Sequence, residues 1–529
     1  MSIFVVVKCP WNAKRSRLPK CTCKVKRKCK YRLYATRLDD GLTFQIRSLN
    51  LEHVCAFTTK NRMVTSEYIA EKYLETWRND PNWSLIGVQS RVKFDLGVDV
   101  GYHKCWVARA RAKMMIHGNL DGQYSRVWDY VFQIRKFNPG SPTCVKVDRI
   151  DRPPPIFQIM YICLAACKEG FVKRCRPLLG VDGCHLKGQY PGMCLVVVSM
   201  DVNNNIFSVA WAVVEVENAE TWQWFLDLLV RDIGSDEGDG LTFMSDRQKG
   251  LLEAMNVVVP SAETRFCVRH IWANFKLQFA GIGFKENFWK AAWATTEAEF
   301  NFEMAGIKYL SEGAYNYLNR IPPRHWSRHA FSTNYKSSMI TNNLCESFNA
   351  VLKDAKDKAI LTHMEWMRRY VMKRNYEKRE GVDKYDDDFM PYIDKCFKKM
   401  YTEVRYAKVH PSKSTNFEVD YKGGNFTVNL VEQKFNCKHW ELSGIPCIHA
   451  MACIVNQRLI PKDYVNDAYS KEKYLLAYSP AFSQMPGVDQ WEKTGLDEPL
   501  PPPPPPYQEG CLEGLPIRKE KRSRVKGVK

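Results

Sequence analysis

The sequence predicts an α/β protein built on a central sheet, and three observations predict it. Residues 179–188 read Leu-Gly-Val-Asp-Gly-Cys-His-Leu-Lys-Gly, an apolar run that ends in Asp182 fenced by glycines. Two more apolar runs follow at residues 194–200 and 206–214, joined by the turn-type stretch Asp201-Val202-Asn203-Asn204-Asn205. Residues 220–229 then place Trp222, Phe225, Leu226 and Leu229 at helical spacing, and a last strand-like run, 241–244, ends in Ser245-Asp246-Arg247. Three strands, a helix and a strand, with aspartates at strand ends, is an α/β order.

Carboxylates brought together at strand ends repel and resist burial unless a cation neutralises them. Mg²⁺ or Mn²⁺, hard ions with oxygen ligands, fit that need. Two such ions about 4 Å apart activate an attacking oxygen and stabilise the leaving oxygen of a phosphodiester. Glu346 is the candidate third carboxylate. It follows Thr341, Asn342 and Asn343, all N-cap types, and so falls in the first turn of a helix.

Together the stretches around Asp182 and Asp246, Phe266-Cys267-Val268-Arg269-His270, and residues 341–349 resemble the plant Mutator-like element (MuDR) transposases. The resemblance runs from about residue 20 to 490. It implies an RNase H-like catalytic fold over residues 159–360, with a helical insertion at about 284–330. It implies a catalytic, Mg²⁺- or Mn²⁺-binding triad of Asp182, Asp246 and Glu346. It also implies that Cys267 and His270 are the family's Cys-x-x-His pair, read here as packing and support behind the ligands.

Taken in order, residues 1–60 open the chain as a basic module. Residues 8–37 hold twelve Lys and Arg and no acid. Cys23, Cys29, His53 and Cys55 form a tetrahedral zinc spacing, with Cys21 a rival for Cys23. Strand-like runs at 31–38 and 42–49 meet at Asp39-Asp40-Gly41, a hairpin signal. The module resembles the WRKY-like zinc module of MuDR and far-red-impaired-response proteins, which reads DNA with a strand. Residues 61–135 form a helical region. Thr65-Ser66 caps a helix to about Arg78, a second spans 84–95, and a third carries Lys104, Arg109, Arg111 and Lys113 beside Trp106, the order of a helix-turn-helix. Residues 136–158, punctuated by prolines, read as a connector.

Beyond the core, residues 361–410 are a helical, basic linker. Residues 416–421 and 425–431 form a hairpin around Lys422-Gly423-Gly424, at the head of a module over 416–458. The stretch 437–450 resembles a SWIM zinc finger, whose pattern is Cys-x-Cys then Cys-x-His. Cys437, Cys447 and His449 match it, while Phe435 stands at the first cysteine position. Either His439 supplies the fourth zinc ligand or the site is weakened. Residues 495–529 form a disordered tail with a six-proline run and a basic end, a candidate nuclear localisation signal beside the run 24–28.

The 529 residues carry a net charge of +20, which calls for a polyanionic partner. The 19 cysteines are scattered, many in apolar runs, against a secreted disulfide scaffold. The opening apolar run is too short for a signal peptide, and no run reaches the roughly 18 residues of a membrane span. The expected protein is therefore a soluble, nuclear, homo-oligomeric Mutator-like DDE transposase that binds Zn²⁺ and Mg²⁺ or Mn²⁺ and acts on the terminal inverted repeats of DNA. The alternative is a domesticated derivative that binds promoter sites and regulates transcription without cleavage.

Overall fold

The computed structural model describes residues 20–22, 32–37, 44–50, 52, 59 and 61–502, less 81–82, 118–119, 149–153, 188–189, 191 and 413–414. The chain divides into residues 1–119 and 120–529, taken separately below.

In the first unit, β1 (Lys20–Thr22), β2 (Arg32–Arg37) and β3 (Phe44–Asn50) form an antiparallel sheet in that order. The expected hairpin corresponds to β2 and β3. Cys23, Cys29, His53 and Cys55 lie outside the described residues, as does the basic run 24–28. Helices α1 (Ser66–Lys72), α2 (Leu74–Asn79), α3 (Leu85–Leu96) and α4 (Tyr102–His117) follow. The Thr65 and Ser84 hydroxyls cap α1 and α3 by accepting the N–H groups of Tyr68 and Gly87. The single helix expected over 65–78 is broken at Tyr73. The break lets Tyr73 and Trp77 both meet the edge of Trp83, at 5.9 and 5.3 Å between ring centres. Two of the basic residues of α4 are used inside the unit. Lys104 donates to the Val64 carbonyl at 3.0 Å, and Arg111 pairs with Glu67.

The second unit starts with α5 (Leu120–Tyr124) and α6 (Val127–Phe137). Next come β4 (Thr143–Asp148), β5 (Ile156–Ile162), α7 (Ala165–Arg174), β6 (Leu178–His185), β7 (Met193–Met200) and β8 (Ile206–Val214). Helix α8 (Ala219–Ile233), β9 (Thr242–Ser245), α9 (Lys249–Val258), β10 (Glu263–Phe266) and α10 (Val268–Phe275) complete the sheet. The seven strands run in the order β10-β9-β6-β7-β8-β5-β4. β10, β9 and β6 are parallel and the remaining pairings antiparallel, so the sheet is mixed. β7 and β8 are apolar and buried almost throughout, as strands covered on both faces must be.

The expected connector over 136–158 is corrected here: it contains β4 and the first residues of β5, which close one side of the sheet. The prolines before Ile156 hid two paired antiparallel strands rather than a linker.

Three helices, α11 (Ile282–Trp293), α12 (Glu297–Leu310) and α13 (Glu312–Asn319), pack with α10 around an aromatic core of Phe275, Phe288, Phe300 and Trp326. Helix α14 (Asn343–Val351) returns to the sheet and α15 (Ile360–Glu380) covers it. Then come α16 (Pro391–Val404) and the sheet β11 (Lys408–Pro411), β12 (Asn416–Tyr421), β13 (Gly424–Asn429), β14 (Lys434–Phe435). Last are α17 (His439–Ser443), α18 (Ile448–Asn456) and α19 (Lys471–Tyr478).

Two cores sandwich the main sheet. One face buries α7, α8, α9 and α19, with Trp222, Phe225, Leu251 and Tyr478 among the contributors. The other buries α6, α14 and α15, through Tyr130, Phe348 and Met364. The end of the chain belongs to this unit. Trp491 packs 5.2 Å from Tyr130, and Leu500 exchanges backbone hydrogen bonds with Pro155 and Phe157 beside β5. The tail expected to be disordered from 495 is therefore ordered through the described residues up to 502.

Candidate active site and metal-ligating clusters

β6 and β9 are parallel neighbours with Gly180 beside Met244. Asp182 lies two residues further along β6, and Asp246 lies two residues beyond Met244, one past the end of β9, so pleat periodicity directs both toward one face of strands about 5 Å apart. That face is the α14 face, because Leu178 and Cys184 of β6 belong to the α14 core while Leu179 and Val181 belong to the opposite one.

Helix α14 docks at Gly180. A Cβ there would come within 2.7 Å of the Asn342 Oδ1 and 2.9 Å of the Cys345 Sγ, so this approach requires glycine. The Asn342 side chain donates to the Val181 carbonyl at 3.2 Å, and Asn349 Nδ2 donates to Asp182 Oδ2 at 2.8 Å. Glu346 lies one turn before Asn349 and so shares its helix face. Its carboxylate pairs with Arg269, whose other Nη donates to Asn343 Oδ1 at 2.8 Å.

Asp246 heads α9. Its Oδ1 accepts the Gln248 N–H at 3.0 Å, and Arg247 between them is left-handed, at φ 73°. Such a conformation at a non-glycine residue costs about 1–3 kcal/mol and marks a turn over-determined by its surroundings. Arg247 is held with its guanidinium 5.4 Å from the Phe266 ring centre.

The electrostatics centre on Asp182, which is crowded by other carboxylates. Burial pushes the Asp182 carboxyl up to about 7, and the Asp246 and Glu217 carboxylates add to the rise. The Gly183 N–H and His270 oppose it. The hydrogen-bond donors on Asp182, Gly183 N–H and Asn349, are neutral. A divalent oxygen-liking cation fits this donor set.

Glu217 was not visible as a site residue in the sequence. A Cβ on Gly183 would lie 2.8–2.9 Å from its carboxylate atoms, so the carboxylate is packed against the residue after Asp182. The Trp222 indole donates to Glu217 Oε1 at 3.1 Å and fixes it. Burial first, then Asp246, raises its carboxyl above the usual range. The one available signal was its place between the end of β8 and the Asn218 cap of α8.

Cys267 caps α10 and His270 lies one turn on. Their donor atoms and that of Glu346 all fall within 4.8 Å of one another. His270 is pushed up to about 8 by its hydrogen bond with Cys267, and Asp246 and Glu346 contribute. Burial opposes ionisation of the Cys267 thiol, but His270 and the Asn342 N–H, 3.2 Å away, outweigh it and hold the thiol below its usual range.

A separate donor group lies beyond the β12–β13 hairpin. Cys437, Cys447 and His449 are buried, with their donor atoms within 4.8 Å of one another. Cys447 Sγ lies 3.7 Å from His449 Nδ1, and the Phe426 ring stacks on His449 at 3.8 Å between centres. Cys437 is held well below its usual range by its contact with Cys447, while burial drives Cys447 up. Phe435 ends β14 opposite Val428. His439 starts α17 nearby with its Nδ1 buried and unpartnered, but it falls outside the three-donor group.

A cleft of about 1650 Å³ runs from Arg269 and Thr341 to this group, with Arg328, Lys336, Lys399 and Lys422 on its walls. Among the described residues no helix is long and apolar enough to cross a membrane.

No curated protein matches the chain. Residues 178–274, the stretch from β6 into α10 that carries Asp182, Asp246, Glu217, Cys267 and His270, match the MULE transposase domain, which supports the Mutator-like transposase family for this part of the chain.

Proposed function

We propose that the chain is a DDE-type Mutator-like transposase with an RNase H-like core, cutting DNA at element ends and joining it to a target. The observation that carries this reading is the placing of Asp182 in β6 and Asp246 just past its parallel neighbour β9, with the Asp182 carboxyl raised by burial and by the carboxylates beside it, on the side of the helix that bears Glu346, inside a MULE transposase match. Asp182, Asp246 and Glu346 would hold Mg²⁺ or Mn²⁺, with Glu217 beside them. The ion supplies activation of the attacking oxygen and charge stabilisation at the phosphate. Asn349 orients the Asp182 carboxylate, Trp222 orients Glu217, and Arg269 restrains Glu346 and presents a cation to a phosphate.

The basic cleft reaches Arg269, the partner of Glu346, and would give DNA a path toward these residues. Cys437, Cys447 and His449 would form a three-residue Zn²⁺ site with one position open, and Cys23, Cys29, His53 and Cys55 a second, in a module that reads terminal inverted repeats. The helices of the first unit are proposed as a further DNA contact, the nucleus as the compartment, and a homo-oligomer as the working form.

The test is Mg²⁺- or Mn²⁺-dependent cleavage of DNA bearing terminal repeats, taken from the sequence around the gene if such repeats surround it. The wild type is expected to cut, and Asp182→Asn to bind the same DNA without cutting. Sequence-specific binding with no cleavage by either protein, in either metal, would establish instead the domesticated transcription regulator. Phe435 at the first SWIM cysteine position is the observation that favours that reading.

A further inference from the structure

Cys267, His270 and Glu346 do not share the chemistry of the aspartates beside them. A buried thiol, an imidazole and a carboxylate offer S, N and O donors, all within 4.8 Å of one another. Mg²⁺ takes only oxygen readily, whereas Zn²⁺ and Co²⁺ take sulfur and imidazole. The scaffold is already set. Cys267 and His270 are three residues apart on the first turn of α10, so they share a face. The Asn342 backbone N–H, at the head of α14, donates to the Cys267 sulfur at 3.2 Å and ties the two helix starts together. His270 Nδ1 is buried with no hydrogen-bond partner. Glu346 is the link to the rest of the cleft, and Arg269 is its present partner.

We infer that Cys267, His270 and Glu346 form a thiophilic divalent-cation site, selective for zinc-like ions over Mg²⁺, which shares Glu346 with the aspartate cleft. On binding, a metal–sulfur bond forms and the thiol proton leaves to solvent. His270 coordinates as the neutral imidazole, releasing any proton it carries. Glu346 exchanges Arg269 for the metal, and water fills the open position. Because Glu346 serves one ion at a time, zinc here withdraws it from Asp182 and Asp246. This last consequence rests on the transposase reading, and it makes Zn²⁺ an inhibitor of Mg²⁺-dependent cleavage. The binding itself does not rest on that reading.

The experiment is a Co²⁺ titration of the metal-stripped, reduced full-length chain, followed by the thiolate-to-cobalt charge-transfer absorption, with excess Mg²⁺ present throughout. Cys267→Ser is expected to lose one bound Co²⁺ per chain and its share of the absorption. Cys447→Ser is expected to remove a different ion, and the two losses should add. His270→Gln, a milder change at a half-buried position, is expected to weaken the same Co²⁺ component at least roughly tenfold. It gives the answer even where Cys267→Ser does not fold. Arg269→Ala is expected to tighten that component, because it removes the cation competing for Glu346; a structural role for Cys267 and His270 predicts no such gain. Unchanged Co²⁺ stoichiometry and absorption in His270→Gln, with no tightening in Arg269→Ala, overturns the site. Since no DNA is present, this result stands apart from the cleavage assay. A chain that binds Co²⁺ here but never cuts DNA would sink the transposase reading and keep the site.

Discussion

At the carboxylate site, Asp182 lies inside β6, three residues before its end rather than at the strand end expected, and Asp246 lies just past β9, in a seven-stranded sheet with a core on each face. At the sulfur cluster, Cys437 lies in the turn after β14, while Cys447 and His449 lie at the start of α18, around a much smaller core. The first region has a scaffold that is complete without a ligand, but it gathers like charges that the scaffold must tolerate. The second gathers sulfur and imidazole donors, but its scaffold has little apolar surface to spare. Metal should therefore matter to chemistry in the first and to folding in the second. The same removal of a ligand should have opposite effects on metal-free stability in the two places.

The largest effect is expected on cleavage. Asp182→Asn or Asp246→Asn should lower Mg²⁺-dependent cutting by ~10⁴-fold or more, the scale seen when a residue essential to a catalytic unit is removed, with DNA affinity within a few-fold of wild type. A gel-based cleavage assay beside a binding assay checks it.

Next in size is the loss of the sulfur cluster. For structural zinc sites the binding free energy is folding free energy, of order 10 kcal/mol in small modules. Cys447→Ser, or a chelator, should open residues 408–456 to limited proteolysis while the β6–β9 core stays protected. Simultaneous loss of both regions would erase the contrast.

The third effect is a pH dependence of the metal-free fold. Asp182 is raised from an ordinary 3.8 to about 7 by burial and by its carboxylate neighbours, so the folded state holds its proton more tightly than the unfolded chain does. Its contribution is fully present below about pH 4 and is lost as pH rises through about 7. The full swing is on the order of 4 kcal/mol. Denaturant midpoints of metal-free protein should fall over that range, and Mn²⁺ should restore them. Asp182→Asn cannot ionise, so it should flatten the profile and be more stable than metal-free wild type at pH 8.

The amount of this that was legible in the sequence follows from how each feature is encoded. β6, β7, β8 and β9 were readable as short continuous apolar runs and α8 as a clean 3.6-period pattern, with turn residues such as Asn, Asp and Gly between them. The aspartates were readable because they end such runs. Glu217 was not: it sits in the polar turn after β8, and only the fold brings that turn over Gly183. β4 and β5 were missed because Pro153-Pro154-Pro155 marks a linker and a hairpin connection equally well. The docking of Trp491 and Leu500 on the sheet is a long-range event with no local signature. The partner of Glu346 was hidden for the same reason, since Arg269 is 77 positions away. Nothing in the hairpin and helix signals said that His439 would fall outside the donors of Cys437, Cys447 and His449.

A smaller effect sharpens the comparison at the level of packing. Gly180→Ala places a Cβ against Asn342 Oδ1 and Cys345 Sγ, side chains held between a strand and a helix start, with Asn342 also tied to the Val181 carbonyl. The expected loss is about 1–3 kcal/mol, read from denaturant unfolding, with a further loss of cleavage because α14 carries both Glu346 and Asn349. Glu217→Gln should be milder still. It keeps the Trp222 contact, removes one like charge, and should lower the Asp182 carboxyl from about 7 in an NMR titration of metal-free protein.

The central claim is that the cleft of Asp182, Asp246 and Glu346 is a divalent-cation site. Mn²⁺ binding to the full-length chain, read by electron paramagnetic resonance of the free ion in the presence of saturating Zn²⁺-site chelation, tests it most directly. The account predicts saturable Mn²⁺ binding that Mg²⁺ displaces, that Asp182→Asn and Asp246→Asn each abolish, and that Cys447→Ser leaves in place. Mn²⁺ binding unchanged by either aspartate substitution would contradict it.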